Sequence, residues 1–137
     1  MKRRSFTKGI SSLALGAAAG LVSAPWVARK ASAASHSGKV KIGCLFSSSG
    51  TMANLEGRLN FVAQMAADEI NAGGGVLGKD VEVVVTDPSS DWPMYAQLGR
   101  QLIQQEQVAA TFGCWTSVSR KSVLPVVEQN DALLYYP

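Results

Sequence analysis

The stretch G-C-W-T-S-V-S-R-K-S-V-L-P-V, residues 113–126, directly follows an apolar run from Val108 to Phe112. The run stops at Gly113, polar residues crowd Thr116 to Ser122, and apolar spacing of helical period resumes. This order predicts a strand, a tight turn and a helix that starts near Ser117 and reaches Asn130, with Pro125 as a kink. The first amides of a helix lack internal partners and carry partial positive charge, so such a turn can receive a small polar or anionic group. The Ser117 hydroxyl therefore has two readings, a helix cap or a ligand contact.

Outward from this unit the same alternation repeats. Val40 to Phe46 is a short apolar run closed by Ser47-Ser48-Ser49-Gly50, a buried strand. Leu55, Leu59, Val62, Ala66 and Ile70 recur at helical spacing and predict the buried face of a helix, which Asn71 to Gly75 ends. Val81 to Thr86 is a second strand and Asp87 to Asp91 a turn. Trp92-Pro93 then opens a helix that buries Tyr95, Leu98 and Leu102. Ala132 to Tyr136 is a fourth strand. Strands alternating with helices predict an α/β fold with a doubly wound parallel sheet. Ligands of such sheets sit beyond the carboxyl ends of the strands, here Ser47–Ala53, Asp87–Asp91, Gly113–Ser119 and Tyr135–Pro137.

Several chemistries are excluded on residue type and order. Gly73, Gly75 and Gly78 spell G-x-G-x-x-G, and the same stretch lies one residue from a phosphate-binding P-loop. Both motifs need a strand before and a helix after; here the order is reversed, and Asp80 stands where a hydroxyl would be required. The stretch reads as a wide turn. His36 is the only histidine, so no Ser-His-Asp hydrolase and no metal site can be assembled, and no catalytic residue or cofactor is expected. Asp87 and Asp91 beside Pro and Ser read as turn chemistry. Cys44 and Cys114 lie near the ends of neighbouring strands, and either a disulfide or two buried thiols fits.

Residues 1–33 read as an export signal. Arg3 and Arg4, with Phe6 and Lys8, fit a twin-arginine leader, although Thr7 departs from the usual leucine. A glycine-diluted apolar stretch follows, and Ala31-Ser32-Ala33 is a cleavage site, so residues 34–137 form the mature part, destined for the periplasm. An ordinary secretory leader shares the same three regions. The chain has 13 basic and 10 acidic residues, and six of the basic ones, with no acid, fall within residues 1–33. The mature part is thus slightly acidic, with no basic footprint for nucleic acid. At about a hundred residues it can bury one modest core.

Four segments together carry a family resemblance: K-I-G-C-L-F-S-S-S-G-T-M-A from residue 41, E-I-N-A-G-G-G-V-L-G-K-D from 69, D-P-S-S-D-W-P from 87 and G-C-W-T-S-V-S-R-K-S-V-L-P-V-V-E from 113. They resemble type I periplasmic substrate-binding proteins of ABC importers. The first two suit the wider branched-chain amino-acid group; the last two, with the closing L-L-Y-Y-P, resemble the urea and short-chain amide branch.

The resemblance implies two α/β lobes that close on a ligand, with residues 34–137 forming the first half of lobe 1. On that basis the chain is a truncated solute-binding component, weak in ligand binding by itself, whose ligand is urea or a short-chain amide and whose partners are ABC permease subunits. Carried over by motif, Trp115, Thr116 and Ser117 after the third strand, Tyr136 after the fourth, and Ser49 and Thr51 after the first are the ligand contacts. Such a neutral ligand suits several short hydrogen bonds inside an aromatic box. The alternatives are an amide-sensing regulatory protein, against which the leader argues, and a branched-chain amino-acid binding protein. A receiver-like signalling domain would need acidic residues where Ser47 to Ser49 stand.

Overall fold

The computed structural model describes residues 38–137, so the leader assigned to residues 1–33 lies outside the described residues. The elements run β1 (Lys39–Leu45), α1 (Ala53–Glu56), α2 (Leu59–Ala72), β2 (Asp80–Thr86), α3 (Trp92–Gln104), β3 (Ala110–Gly113), α4 (Ser117–Gln129) and β4 (Leu134–Tyr135). All strand pairs are parallel and the sheet order is β2-β1-β3-β4. β1 is central to the site: Cys44 pairs with Val85 on one side and with Phe112 on the other. The chain is thus the doubly wound α/β type that its alternating pattern predicts.

Strand alternation sorts the two faces. A Cβ at Gly43 would touch Leu102 of α3, so Gly43 and Leu45 face α3. α4 packs beside α3, with Gly99 of one against Val123 of the other. Leu45, Tyr95, Leu102, Cys114, Val123 and Val127 form the core between that helix pair and the sheet. Ile42, Phe46 and Phe112 face the opposite way and line a groove with α2. Cys44 alternates onto the α2 face while Cys114 sits in the α3/α4 core, so both are free, buried thiols. Burial pushes the Cys44 thiol up to about 11 and, with help from Glu56, the Cys114 thiol up to about 12.

The first helical segment departs from expectation. It breaks into α1 and α2, and its apolar stripe is not buried: Leu55, Val62, Ala66 and Ile70 are all exposed. Phe61 beside them is 77% exposed. Helical spacing reports a continuous apolar face, but burial needs a second layer, and α2 alone covers this side of the sheet among the described residues. Asn60 and Ala67 are what α2 buries. The Gly73–Gly78 stretch is the expected turn. Val76 and Lys79 bridge across it, and the left-handed Gly75 comes so close to Lys79 that a Cβ would meet its carbonyl oxygen at 2.1 Å. α3 starts on the Asp91 cap with Pro93 in its first turn, and α4 runs on through Pro125.

Two short contacts hold β3 against β1 where the chain leaves the sheet. The Cys114 amide donates to the Leu45 carbonyl at 3.2 Å. Gly113 lies so near Leu45 that a Cβ would stand 2.5 Å from its carbonyl oxygen and 2.8 Å from its Cβ. Gly113 is therefore a close-packing residue at the strand end. The left-handed residue of the turn is the next one, Cys114 (φ 69°). Gly113→Ala should lower the stability of the full protein by about 1–3 kcal/mol, the usual cost of overpacking against backbone. Guanidinium denaturation checks this, through a lower midpoint at unchanged slope.

Candidate functional site

Right-handed crossovers send the chain from β1 to one face and from β3 to the other, so the loops after these adjacent strands part company. A crevice opens at such a switch point, and it is where open parallel sheets take ligands. Its two walls are the loop Phe46–Met52 and the turn Cys114–Thr116.

The turn wall is built by a cap. Thr116 is the N-cap of α4, with Oγ1 accepting the Ser119 amide at 3.1 Å, and Ser119 Oγ accepting the Thr116 amide at 3.2 Å. This reciprocal box consumes the Thr116 hydroxyl and corrects the reading of Ser117 as the cap. Ser117 is instead the first helical residue, exposed, with its amide, its hydroxyl and the following Val118 amide making no hydrogen bond to the described residues. These groups are the free donors of the helix N-terminus.

Trp115 and Tyr136 meet at the same end of the sheet. The Tyr136 hydroxyl donates to the Trp115 carbonyl at 3.2 Å, and the two side chains are 43% and 40% exposed. Arg120 lies 5.1 Å above the Tyr136 ring, a cation–π contact, and its Nε is buried with no hydrogen-bond partner among the described residues. Trp115, Thr116, Ser117 and Tyr136 are thus brought together. Arg120 joins them because it lies one helical turn beyond the cap.

The other wall is braced by β2. Asp87 Oδ1 accepts the amides of Ser48, Ser49 and Ser89 at 3.0, 3.3 and 2.9 Å. Ser49 gives its hydroxyl to Ser89, and Ser90 caps the Met52 amide and the Ser49 carbonyl. Ser89 and Ser90 both adopt left-handed φ, which aims their polar groups back at the β1 loop. Ser49 is therefore tied up within this brace, while Thr51 stands exposed beside it. Sequence reading dismissed Asp87 as turn chemistry. Turn chemistry is what it performs, but for two loops at once, and only the register of β1 beside β2 brings the second loop into reach.

Some burial opposes ionisation of Asp87, but hydrogen bonds from the Ser89, Ser48 and Ser49 amides outweigh it. They hold the carboxyl below its usual range. A depressed folded pKa stabilises above the ordinary carboxylate value, and that stability is lost as the pH falls through the folded value. The stability difference between wild type and Asp87→Asn should therefore stay constant from about pH 7 to 5 and shrink below about pH 4. Denaturation midpoints across this range check it; a difference that grows in acid would contradict the brace.

Comparison with known proteins agrees with this architecture. Residues 40–137 match the family described as periplasmic binding protein domain. A relative named Leu/Ile/Val-binding protein homolog 7, from Brucella abortus (strain 2308), is 34% identical over 97 residues, covering 71% of this chain and 24% of the relative. Among solved structures, LivJ from Streptococcus pneumoniae, a branched-chain amino acid transporter substrate-binding protein in complex with isoleucine, is 34% identical with a TM-score of 0.68. That match covers 70% of this chain and 28% of LivJ. The leucine-binding protein LivK from Thermotoga maritima is 26% identical with a TM-score of 0.60, over 69% of this chain and 26% of its own. The chain spans about a quarter of the length of the curated relatives it matches. Strand order, crossover sides and the match across every described element lead to one conclusion: this chain belongs to the periplasmic binding protein domain family, of type I fold.

Proposed function

We propose that the full protein is the solute-binding component of an ABC importer, and that the loops of this chain hold one side of the ligand. The observation that carries this reading is the N-terminus of α4, where the Ser117 and Val118 amides and the Ser117 hydroxyl are free beside the exposed Trp115 and Tyr136 rings. Such a corner offers directional donors for a small carbonyl or carboxylate oxygen and a flat apolar wall for the rest of the solute.

Two ligand classes each have support. A branched-chain amino acid is favoured by the names of the relatives and by the isoleucine in the LivJ complex. Its carboxylate suits the positive end of α4. Urea or a short-chain amide is favoured by residues 87–93, 113–128 and 133–137, which resemble that branch, and by a hydroxyl-and-aromatic lining suited to a neutral head. The amino acid is the reading that the comparisons back better. Export by the twin-arginine route with cleavage after Ala33, residence in the periplasm and docking to permease subunits complete the proposal. They are supported by Arg3, Arg4 and Ala31-Ser32-Ala33 and by the family.

Calorimetric titration of the full protein with isoleucine, leucine, urea and acetamide, each alone, tests this. Saturable binding of isoleucine or leucine without urea supports the amino-acid reading, and the reverse pattern supports the amide. Binding of none of the four overturns both. For whichever probe binds, Ser117→Ala should weaken affinity about five- to tenfold, the worth of one neutral hydrogen bond. Thr116→Ala should instead cost about 1 kcal/mol of stability through the lost cap.

A further inference from the structure

A carboxylate that the ligand reading does not use lies beneath these loops. Glu56 closes α1 and is fully buried, at 0% exposure. Its Oε2 accepts the Ser47 amide at 2.7 Å and the Tyr95 hydroxyl. Ser47 Oγ stands 2.7 Å from Tyr95 Oη and accepts the Ser90 amide at 2.9 Å. Proton count fixes the direction of this chain. Tyr95 gives its single hydroxyl proton to the carboxylate, so Ser47 donates to the Tyr95 oxygen while its lone pair receives Ser90. The result is an oriented relay from the β2 loop, through the β1 loop and α3, to Glu56. Burial first, and then the bond to Glu56, hold the Tyr95 hydroxyl protonated well above its ordinary range.

The relay is unsuited to stability alone. Glu56 Oε1 is buried with no partner among the described residues. An unpaired buried acceptor is costly, and well-packed apolar side chains in such a place are often the more stable choice. What the carboxylate supplies is geometry. Its two bonds fix where β1 ends and where α3 sits, and Ser47 passes that fix to Ser90.

We propose that Glu56 is a positioning residue for the ligand site, holding the loops after β1 and β2 and the start of α3 in one mutual arrangement. The role rests on reading those loops as the site, and it acts through Ser47, Tyr95 and Ser90 without touching the solute.

The test compares Glu56→Gln and Tyr95→Phe with Val127→Ala in the full protein. Val127 is buried in the same core but lies toward the far end of α4, outside the relay. Tyr95→Phe keeps the ring and removes only the hydroxyl, so it serves if Glu56→Gln fails to fold. In the relay variants, amide hydrogen exchange at Ser48 and Ser90 should accelerate about tenfold or more while the β1 amides keep their rates, a local opening. Affinity for whichever of isoleucine, leucine, urea and acetamide the wild type binds should fall about fivefold or more. The double variant should fall no further than the weaker single, as members of one network do. Val127→Ala should lose stability, with affinity within about twofold of wild type, because it is distant and independent.

Wild-type loop exchange in a folded relay variant would overturn the positioning role. So would an affinity loss that Val127→Ala reproduces. If Glu56→Gln loosens the loops but the wild type binds none of isoleucine, leucine, urea and acetamide, the ligand reading falls and only the ordering of the loops by Glu56 stands.

Discussion

Parallel pairing on both sides of β1 is the constraint from which the rest follows. With β2 on one edge and β3 on the other, the chain must cross over in opposite senses, and the handedness of crossovers then puts α2 on one face and α3 with α4 on the other. The crevice between the β1 and β3 loops is a consequence of that topology. Gly113 lets the two strands close to backbone contact at the lip of the crevice, and the Cys114 amide fastens the departing turn to Leu45. A side chain at Gly113 would prise apart the two loops that the crevice needs adjacent.

Polar groups at this end of the sheet follow a division of labour. Thr116, Ser119, Asp87, Ser89 and Ser90 satisfy backbone amides or one another and thereby stiffen two loops and one helix start. Ser117, one residue from the cap, stays free because the box between Thr116 and Ser119 already serves that end of α4. Rigid support beside uncommitted donors is what a binding corner requires, since a ligand then gains hydrogen bonds without ordering the loop that makes them.

The two faces of the sheet contrast. The α3/α4 side holds a closed core around Leu45, Tyr95 and Leu102. The α2 side leaves an apolar groove with Ile42, Phe46 and Phe112 at its floor, and Phe61 and Met65 are exposed on α2 nearby. β4 adds a short edge strand with exposed Tyr135, preceded by exposed Leu133, and the Tyr135 ring stacks on Phe112. Exposed apolar surface of this kind marks an interaction face, and the chain spans about a quarter of the length of the curated relatives it matches.

The sequence by itself determined the elements and their order, because backbone preference and apolar period are local. Val40 to Phe46 and Val81 to Thr86 read as strands, Asp91 to Pro93 as a helix start, and the glycines from 73 to 78 as a turn in the wrong place for a nucleotide. It also marked Trp115, Ser117 and Tyr136 as worth attention. Tertiary structure alone decided which apolar stripe was buried, since α2 carries a sound helical pattern with no second layer over it. It moved the cap from Ser117 to Thr116, because capping depends on the φ and ψ at which the chain leaves β3. It placed Cys44 and Cys114 on opposite faces, ruling out the bridge that strand adjacency suggested. Above all it revealed Glu56. A lone acid in an amphipathic repeat reads as solvated surface, and only the convergence of Ser47, Tyr95 and Ser90, up to 48 residues apart along the chain, makes it a buried acceptor. Spacing along a chain encodes local geometry; the partners of a buried charge are set by how distant segments meet.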